Sequence, residues 1–289
     1  MHLTEQSKQA WAKFLANQEN HGHAKRVLCG TDVDAHVQAC WRSAQTTAQR
    51  IKADLPDLNP RRILEIGSSA GLNCFALQQA YPEAEVMGIE PEHEAVNAAL
   101  AMRKTDQTPQ PHFEQGFGEY LPLPDSGVDL IVCHTVIEHV NDVEAVVREM
   151  ARVLSPIGAI HLDAPNYRFP YEPHLGIFTI PALGKAFVKF TALLQGRWSQ
   201  RNFVNHLKFV TPGTLQRQFR KYGLQWHNRA IDKLQAAASG NADIQKYRMI
   251  AKLLNALQRL GIASLIVSTI SVLGLYPSVL YTLRKRTNA

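Results

Sequence analysis

The sequence predicts an α/β fold built on a mostly parallel sheet with helices on both faces. Three observations carry that prediction. Short apolar runs alternate with longer segments of helical periodicity between residues 62 and 162. A small-residue turn, Gly67-Ser68-Ser69-Ala70-Gly71, joins the first apolar run to the first helix, where a parallel sheet opens toward a ligand. An acid, Glu90, closes the next run 23 positions after Gly67, about the interval at which a carboxylate meets ribose hydroxyls in a strand–helix–strand unit.

Residues 1–60 read as a helical leader, with Trp11, Phe14 and Leu15 on one stretch and Val37, Cys40, Trp41 and Ala44 on a second, ended by Pro56 and Pro60. Arg62 to Ile66 is the first strand and Leu72 to Ala80 the first helix, stopped at Tyr81-Pro82 because a residue before proline avoids the helical region. Ala84 to Ile89 is the second strand, and Glu92 to Met102, rich in Ala and Glu, the second helix. His112 to Gln115 makes a short third strand. Val128 to Cys133, almost uninterrupted in its apolar character, suits a central strand covered on both faces. Asn141 or Asp142 caps a helix in which Val143, Val146, Val147, Met150 and Leu154 recur at helical spacing, ending at Pro156-Ile157-Gly158. Ala159 to Leu162 is the fifth strand.

The alternation then breaks from Tyr167 to Val210. A structureless loop of that length does not suit a compact domain, so residues 167–206 are expected to fold as an inserted cap or lid containing a helix over Ala186 to Leu194. Thr211 caps the next helix with Pro212 at its first position, and Tyr222-Gly223 ends it. Leu260 to Leu283 carries no charge and is long enough to cross a membrane. The reading adopted instead is a buried helix to about Leu273, a break at Gly274 to Pro277, and an antiparallel strand Ser278 to Leu283 closing the edge of the sheet. Residues 61–166 and 207–289 thus form one domain around the insert.

The net charge of +6 conceals a division. Residues 1–172 carry 14 Lys and Arg against 23 Asp and Glu, a net of −9, whereas residues 173–289 carry 17 against 2, a net of +15. Such a field favours an anionic partner, a membrane surface among the candidates, or else is a solvated face that aids solubility. The insert residues Phe187, Phe190 and Trp198, and the last apolar run with Lys246, Arg248, Lys252 and Arg259 beside it, are candidate lipid contacts or, equally, core faces. Cys29, Cys40, Cys74 and Cys133 show no paired spacing and read as reduced thiols. With the polar, mixed-charge stretch Met1 to Asn20, this points to a cytoplasmic protein, with a peripheral position at the inner face of a membrane as the alternative.

The loop lacks the three spaced glycines of a dinucleotide site, which argues against an NAD-dependent oxidoreductase. It has instead a carboxylate, Glu65, two residues before Gly67. An acid there suits a cationic ligand amine better than a phosphate.

These residues, followed by Phe113 to Asp125, Val128 to His134 and Val136-Ile137-Glu138-His139-Val140, resemble the class I S-adenosylmethionine-dependent methyltransferases, especially those that modify small molecules, lipids and sugars. The resemblance covers residues 60–166 well, and Val210 to Gly223 and the final strand weakly. It implies a Rossmann-like sheet of seven mostly parallel strands, S-adenosylmethionine as methyl donor, and a small anionic or lipid-linked acceptor methylated on oxygen, with nitrogen and carbon as the lesser alternatives. It implies that Glu65 faces the methionine amine, that Gly67, Ser69 and Gly71 allow close approach, that Glu90 takes the ribose hydroxyls, and that His134 borders the methionine portion. Ser69 stands where the family usually has glycine. Phe117, beside Gly118, stands where an aspartate commonly meets the adenine amine; it either contacts the adenine face or fills core space. His139, His174 and His206 compete as general base, with Tyr167 behind them. Some relatives bind a divalent metal with an extra glutamate three residues before Glu138; here that residue is Thr135, and a lone Glu-His pair predicts no metal. The competing function is a non-catalytic binding protein acting through its basic C-terminal face. No nucleic-acid recognition module is visible, so nucleic acid is not the expected partner.

Overall fold

In the strand β1 (Arg62–Ile66) side chains alternate between two apolar cores: Ile63 joins one, Leu64 and Ile66 the other. The computed structural model describes residues 3–20, 32–103, 109–238 and 263–286. β1 lies within a seven-stranded sheet with β2 (Glu85–Glu90), β3 (His112–Gln115), β4 (Val128–His134) and β5 (Leu154–Pro165) parallel to it. A short hairpin, β6 (Tyr171–Glu172) and β7 (Ile177–Phe178), stands apart from this sheet. With β8 (Leu224–Asn228) and β9 (Ser278–Lys285) the strand order is β3-β2-β1-β4-β5-β9-β8, and β9 is antiparallel to both its neighbours.

The expectation of a final strand at the sheet edge is thereby corrected. β9 is antiparallel, but it lies between β5 and β8, and its five consecutive buried residues, Val279 to Tyr281 with Thr282 and Leu283, need a neighbour on each side. The edge belongs to β8, absent from the sequence reading, where only Leu224 and Trp226 are apolar. Its polar Gln225, His227 and Asn228 suit an edge.

Helices cover both faces. α1 (Glu5–Asn20), α2 (Val33–Asp54), α3 (Leu72–Ala80) and α4 (His93–Ala101) pack on the side of Ile63, Leu130 and Val132. α5 (Val143–Val153) covers the opposite side through Val146, Val147 and Met150. Asp142 is its cap, Oδ1 accepting the N–H groups of Glu144 and Ala145 at 2.9 and 3.1 Å. Leu154, expected in this helix, already belongs to β5 and pairs with Val128.

The insert folds around its own small core of Leu175, Ile177, Val188, Ala192 and Val204, built from the hairpin, a 3₁₀ turn Pro181–Leu183, α6 (Lys185–Leu194) and a 3₁₀ segment Trp198–His206. Its ends are clamped together: Tyr167 stacks on Phe209 at 4.6 Å between ring centroids, and its N–H donates to the Val210 carbonyl at 3.0 Å. α7 (Pro212–Lys221) follows with Thr211 as cap in a reciprocal bond pair with Thr214.

α8 (Arg229–Ala238) and α9 (Ala263–Leu273) pack together through Leu234, Ala237, Ala263 and Val267. The break after α9 falls where it was expected. The buried side-chain amide of Asn166 donates to the carbonyls of Gly274 and Tyr276 at 2.8 and 2.6 Å, anchoring the turn to the end of β5. No helix among the described residues is long and apolar enough to cross a membrane. Cys29, Lys246, Arg248, Lys252, Arg259 and residues 260–262 lie outside the described residues.

Candidate functional site

The turn after β1 is a left-handed one: Gly67, Ser69 and Gly71 have φ of +70°, +47° and +80°. Space as well as conformation demands glycine at the first and last. A Cβ on Gly67 would lie 2.3 Å from Val136 Cγ2, and one on Gly71 2.6 Å from Phe113 Cζ and 2.8 Å from Ala99 Cβ. Ser69 bears a strain of roughly 1–2 kcal/mol that glycine would not. Its N–H donates to Glu90 Oε2 at 2.8 Å, while Oε1 accepts the Glu92 N–H at 3.0 Å. A carboxylate has about four acceptor positions, so each Glu90 oxygen retains one for a diol. Burial pushes the Glu90 pKa up, opposed by these two backbone bonds.

Glu65, on the same face of β1 as Ile63, is 2% exposed. Oε1 accepts the Asn73 amide at 2.9 Å and Oε2 the Cys74 thiol at 3.0 Å, both from the first turn of α3. Neither donor is a cation, and burial pushes the carboxyl up to about 7. It is a buried acid with acceptor capacity left over, matched to a ligand that brings positive charge.

Phe117 is 56% exposed beyond β3, so its reading as a core filler is corrected and the ligand-facing alternative remains. Gly118 is buried, with Ile66 Cγ2 2.9 Å from where its Cβ would sit. His134, at the end of β4, is held from beneath: its Nε2 is 2.7 Å from His161 Nδ1, and His161 Nε2 is 3.0 Å from Asp54 Oδ2. Burial pulls the His161 pKa down against the pull of Asp54. The sequence reading missed this chain because Asp54 and His161 are 107 residues apart. A histidine inside the apolar run of the fifth strand was its only local sign.

Beyond His134 the backbone turns at Thr135, a β-branched residue at φ +54°, a strained conformation held by its N–H donating to the Asp163 carbonyl at 2.7 Å. Val136 then packs on Gly67, two residues before Glu138-His139. Glu138 is fully buried, and among the described residues neither oxygen meets a hydrogen-bond donor from another residue. Burial pushes it up to about 7. Oε1 lies 3.8 Å from His139 Nε2 and 3.8 Å from His174 Nε2. The two imidazoles meet edge to face at 5.0 Å, with Phe203 against both.

His174 comes from the insert, and Glu172 orients it. The buried Glu172 Oε1 is 2.6 Å from His174 Nδ1, and Oε2 accepts the Leu175 N–H at 2.6 Å. In the neutral imidazole a carboxylate partner favours the proton on Nδ1, and Nε2 is turned to Glu138. The Tyr167 hydroxyl is 3.5 Å from His174 Nδ1, and burial with the nearby carboxylates of Glu172 and Glu138 pushes its pKa up. His139 and His174 are thus brought together, whereas His206 is exposed at the end of its 3₁₀ segment and outside the cluster. The expectation of no metal counted two donors, Glu138 and His139. Folding of the insert supplies a third, and the donor atoms lie within 4.8 Å of one another.

Residues 64–162, the glycine turn through β5, match the family model described as a methyltransferase domain. Residues 64–162 carry a class I S-adenosylmethionine-dependent methyltransferase domain. The chain is 33% identical over 117 residues to the uncharacterized methyltransferase YcgJ of Bacillus subtilis, covering 40% of this chain and 45% of that protein. It is 29% identical over 180 residues to a ubiquinone biosynthesis O-methyltransferase of Rhodopseudomonas palustris, 61% of this chain and 63% of that one. Its fold is similar to that of phosphoethanolamine N-methyltransferase 2 of Haemonchus contortus solved with S-adenosyl-L-methionine, at a TM-score of 0.52 and 13% identity over 84% of this chain and 53% of that one. The chain spans about half the length of the curated relatives it matches first.

Proposed function

We propose that the protein transfers a methyl group from S-adenosylmethionine to an oxygen of a small anionic or lipid-linked acceptor. The observation that carries this reading is the pair of carboxylates around the left-handed turn. Glu65 is buried without a cation to pair with, and Glu90 retains acceptor positions beside Ser69. A sulfonium amino acid joined to a nucleoside satisfies both, its ammonium at one end and its ribose diol at the other. Phe117 offers a ring to the base. The protein's task is then to align the acceptor with the methyl and manage its proton.

Val136 packs on Gly67 two residues before Glu138, and Glu138, His139 and His174 lie together, which supports assigning the acceptor to that side with an imidazole receiving the proton an oxygen sheds. Transfer of labelled methyl to a hydroxyl compound bearing a carboxylate or phosphate is the expected result. His139→Ala should lower its rate roughly 100-fold while S-adenosylmethionine affinity stays within about threefold. Label appearing only on amines, or a rate indifferent to His139, would contradict the assignment.

The acceptor class draws support from the insert. Phe190, Leu193, Leu194 and Trp198 are all exposed, and Lys185, Lys189, Arg197 and Arg201 lie among them, the Arg201 guanidinium 3.5 Å over the Trp198 ring. Apolar side chains interleaved with cations suit an anionic lipid surface. The protein should float with anionic liposomes at low salt and be released at high salt. If it stays in the pellet fraction at low salt, the lipid-surface reading fails.

A further inference from the structure

We propose that Glu138, His139 and His174 form a binding site for one divalent transition-metal ion of the zinc class. Two imidazoles and a carboxylate are the donor set such ions take, and they leave a further coordination position open. The need for a ligand is visible in Glu138. A buried carboxylate with no donor from another described residue on either oxygen is a costly arrangement, and an ion bonded to it removes the cost.

The geometry is close to what coordination requires. Glu138 Oε1 stands 3.8 Å from each imidazole Nε2; a tetrahedral ion with bonds of about 2.1 Å brings its donors to about 3.4 Å from one another, a contraction that small side-chain rotations supply. The surroundings are those of a metal site as well. Glu172 holds His174 Nδ1 at 2.6 Å, the carboxylate–imidazole arrangement that fixes the tautomer and raises the basicity of the ligating nitrogen. Phe203 forms an apolar wall against both rings. Magnesium and calcium, which prefer all-oxygen shells, fit this set poorly. Since the loop between β4 and α5 supplies Glu138 and His139 and the insert supplies His174, the ion would also pin the insert to the sheet.

Binding of the ion rests on this donor set alone. Its role rests on the methyltransferase reading: held by these three residues, such an ion would supply Lewis acidity to an acceptor hydroxyl at the open position, whose proton would pass to solvent as the oxygen takes the methyl and S-adenosylhomocysteine leaves.

The test is titration of chelator-stripped protein with Co²⁺ alone, followed by visible d–d absorption and by Zn²⁺ competition, with S-adenosylmethionine affinity measured on the same samples. One equivalent of Co²⁺ should bind, be displaced by Zn²⁺, and resist a large excess of Mg²⁺. His174→Ala should weaken binding at least 100-fold, and Glu172→Gln roughly 10- to 100-fold. Retained S-adenosylmethionine binding shows that each variant is folded. Protein that binds S-adenosylmethionine but gives no cobalt bands, or a His174→Ala variant that binds Co²⁺ as wild type does, would overturn the site. Cobalt binding with no S-adenosylmethionine binding would leave the metal site standing and remove the transferase reading.

Discussion

Replacing Glu65 by glutamine is expected to weaken S-adenosylmethionine binding roughly 10- to 100-fold, the worth of a hydrogen bond between charged groups, while making the unliganded protein more stable. The two effects have one cause. Burial raises the Glu65 carboxyl from 4.5 to about 7 with no cation to compensate, so the folded state holds a proton that the unfolded chain releases between those values. Stability therefore falls as pH rises from about 4.5 to about 7, and above that range the ionised, unliganded group costs about 3 kcal/mol. Glutamine removes this cost and sacrifices one weak bond to Asn73 or Cys74, leaving a net gain of about 2 kcal/mol at pH 8 by denaturant unfolding. Because a cationic ligand takes the ionised form, wild-type affinity should fall as pH drops below about 7, with proton release on binding seen by calorimetry in buffers of different ionisation enthalpy. A glutamine variant as unstable as wild type at pH 8, or one that binds the cofactor equally well, would remove Glu65 from its assigned role.

Gly67→Ala should be the most damaging small substitution in the turn. Its Cβ would lie 2.3 Å from Val136 Cγ2 at a backbone φ of +70°. The overlap and the left-handed strain together cost about 3 kcal/mol, a Tm decrease of roughly 5–10 °C. The same displacement moves Val136, and with it Glu138 and His139, so activity should fall even at temperatures where the variant is folded. Val136→Ala in the same chain removes the overlap but not the strain, and should recover about half of the lost stability. A single variant melting with wild type would show that the two loops are not packed as described.

The parts of the site legible in the sequence are those whose geometry is local. Glu65, the turn and Glu90 are tied by one strand–helix–strand unit, so intervals alone place them. Thr211-Pro212 and Asp142 announced their helices because caps act within three residues. The rest depends on contacts that spacing does not encode. His174 reaches Glu138 only because Tyr167 and Phe209 close the insert upon itself, and the Asp54, His161 and His134 chain crosses from a leader helix to two strands. β8 went unread because an edge strand needs few apolar residues, and its presence is what moves β9 inward. The strain at Ser69 and Thr135 is likewise invisible until the backbone is known. Strain of this kind gathers at ligand sites, and both residues border the proposed cofactor and acceptor positions.

The central claim is that the turn and its two carboxylates bind S-adenosylmethionine. Calorimetric titration of wild type and Glu90→Ala with S-adenosylmethionine, S-adenosylhomocysteine and NAD tests it most directly. The account predicts one equivalent of either sulfur nucleotide bound by wild type, no heat from NAD, and at least a tenfold loss of affinity in Glu90→Ala. Absence of binding by both sulfur nucleotides, or equal binding by wild type and Glu90→Ala, would contradict it.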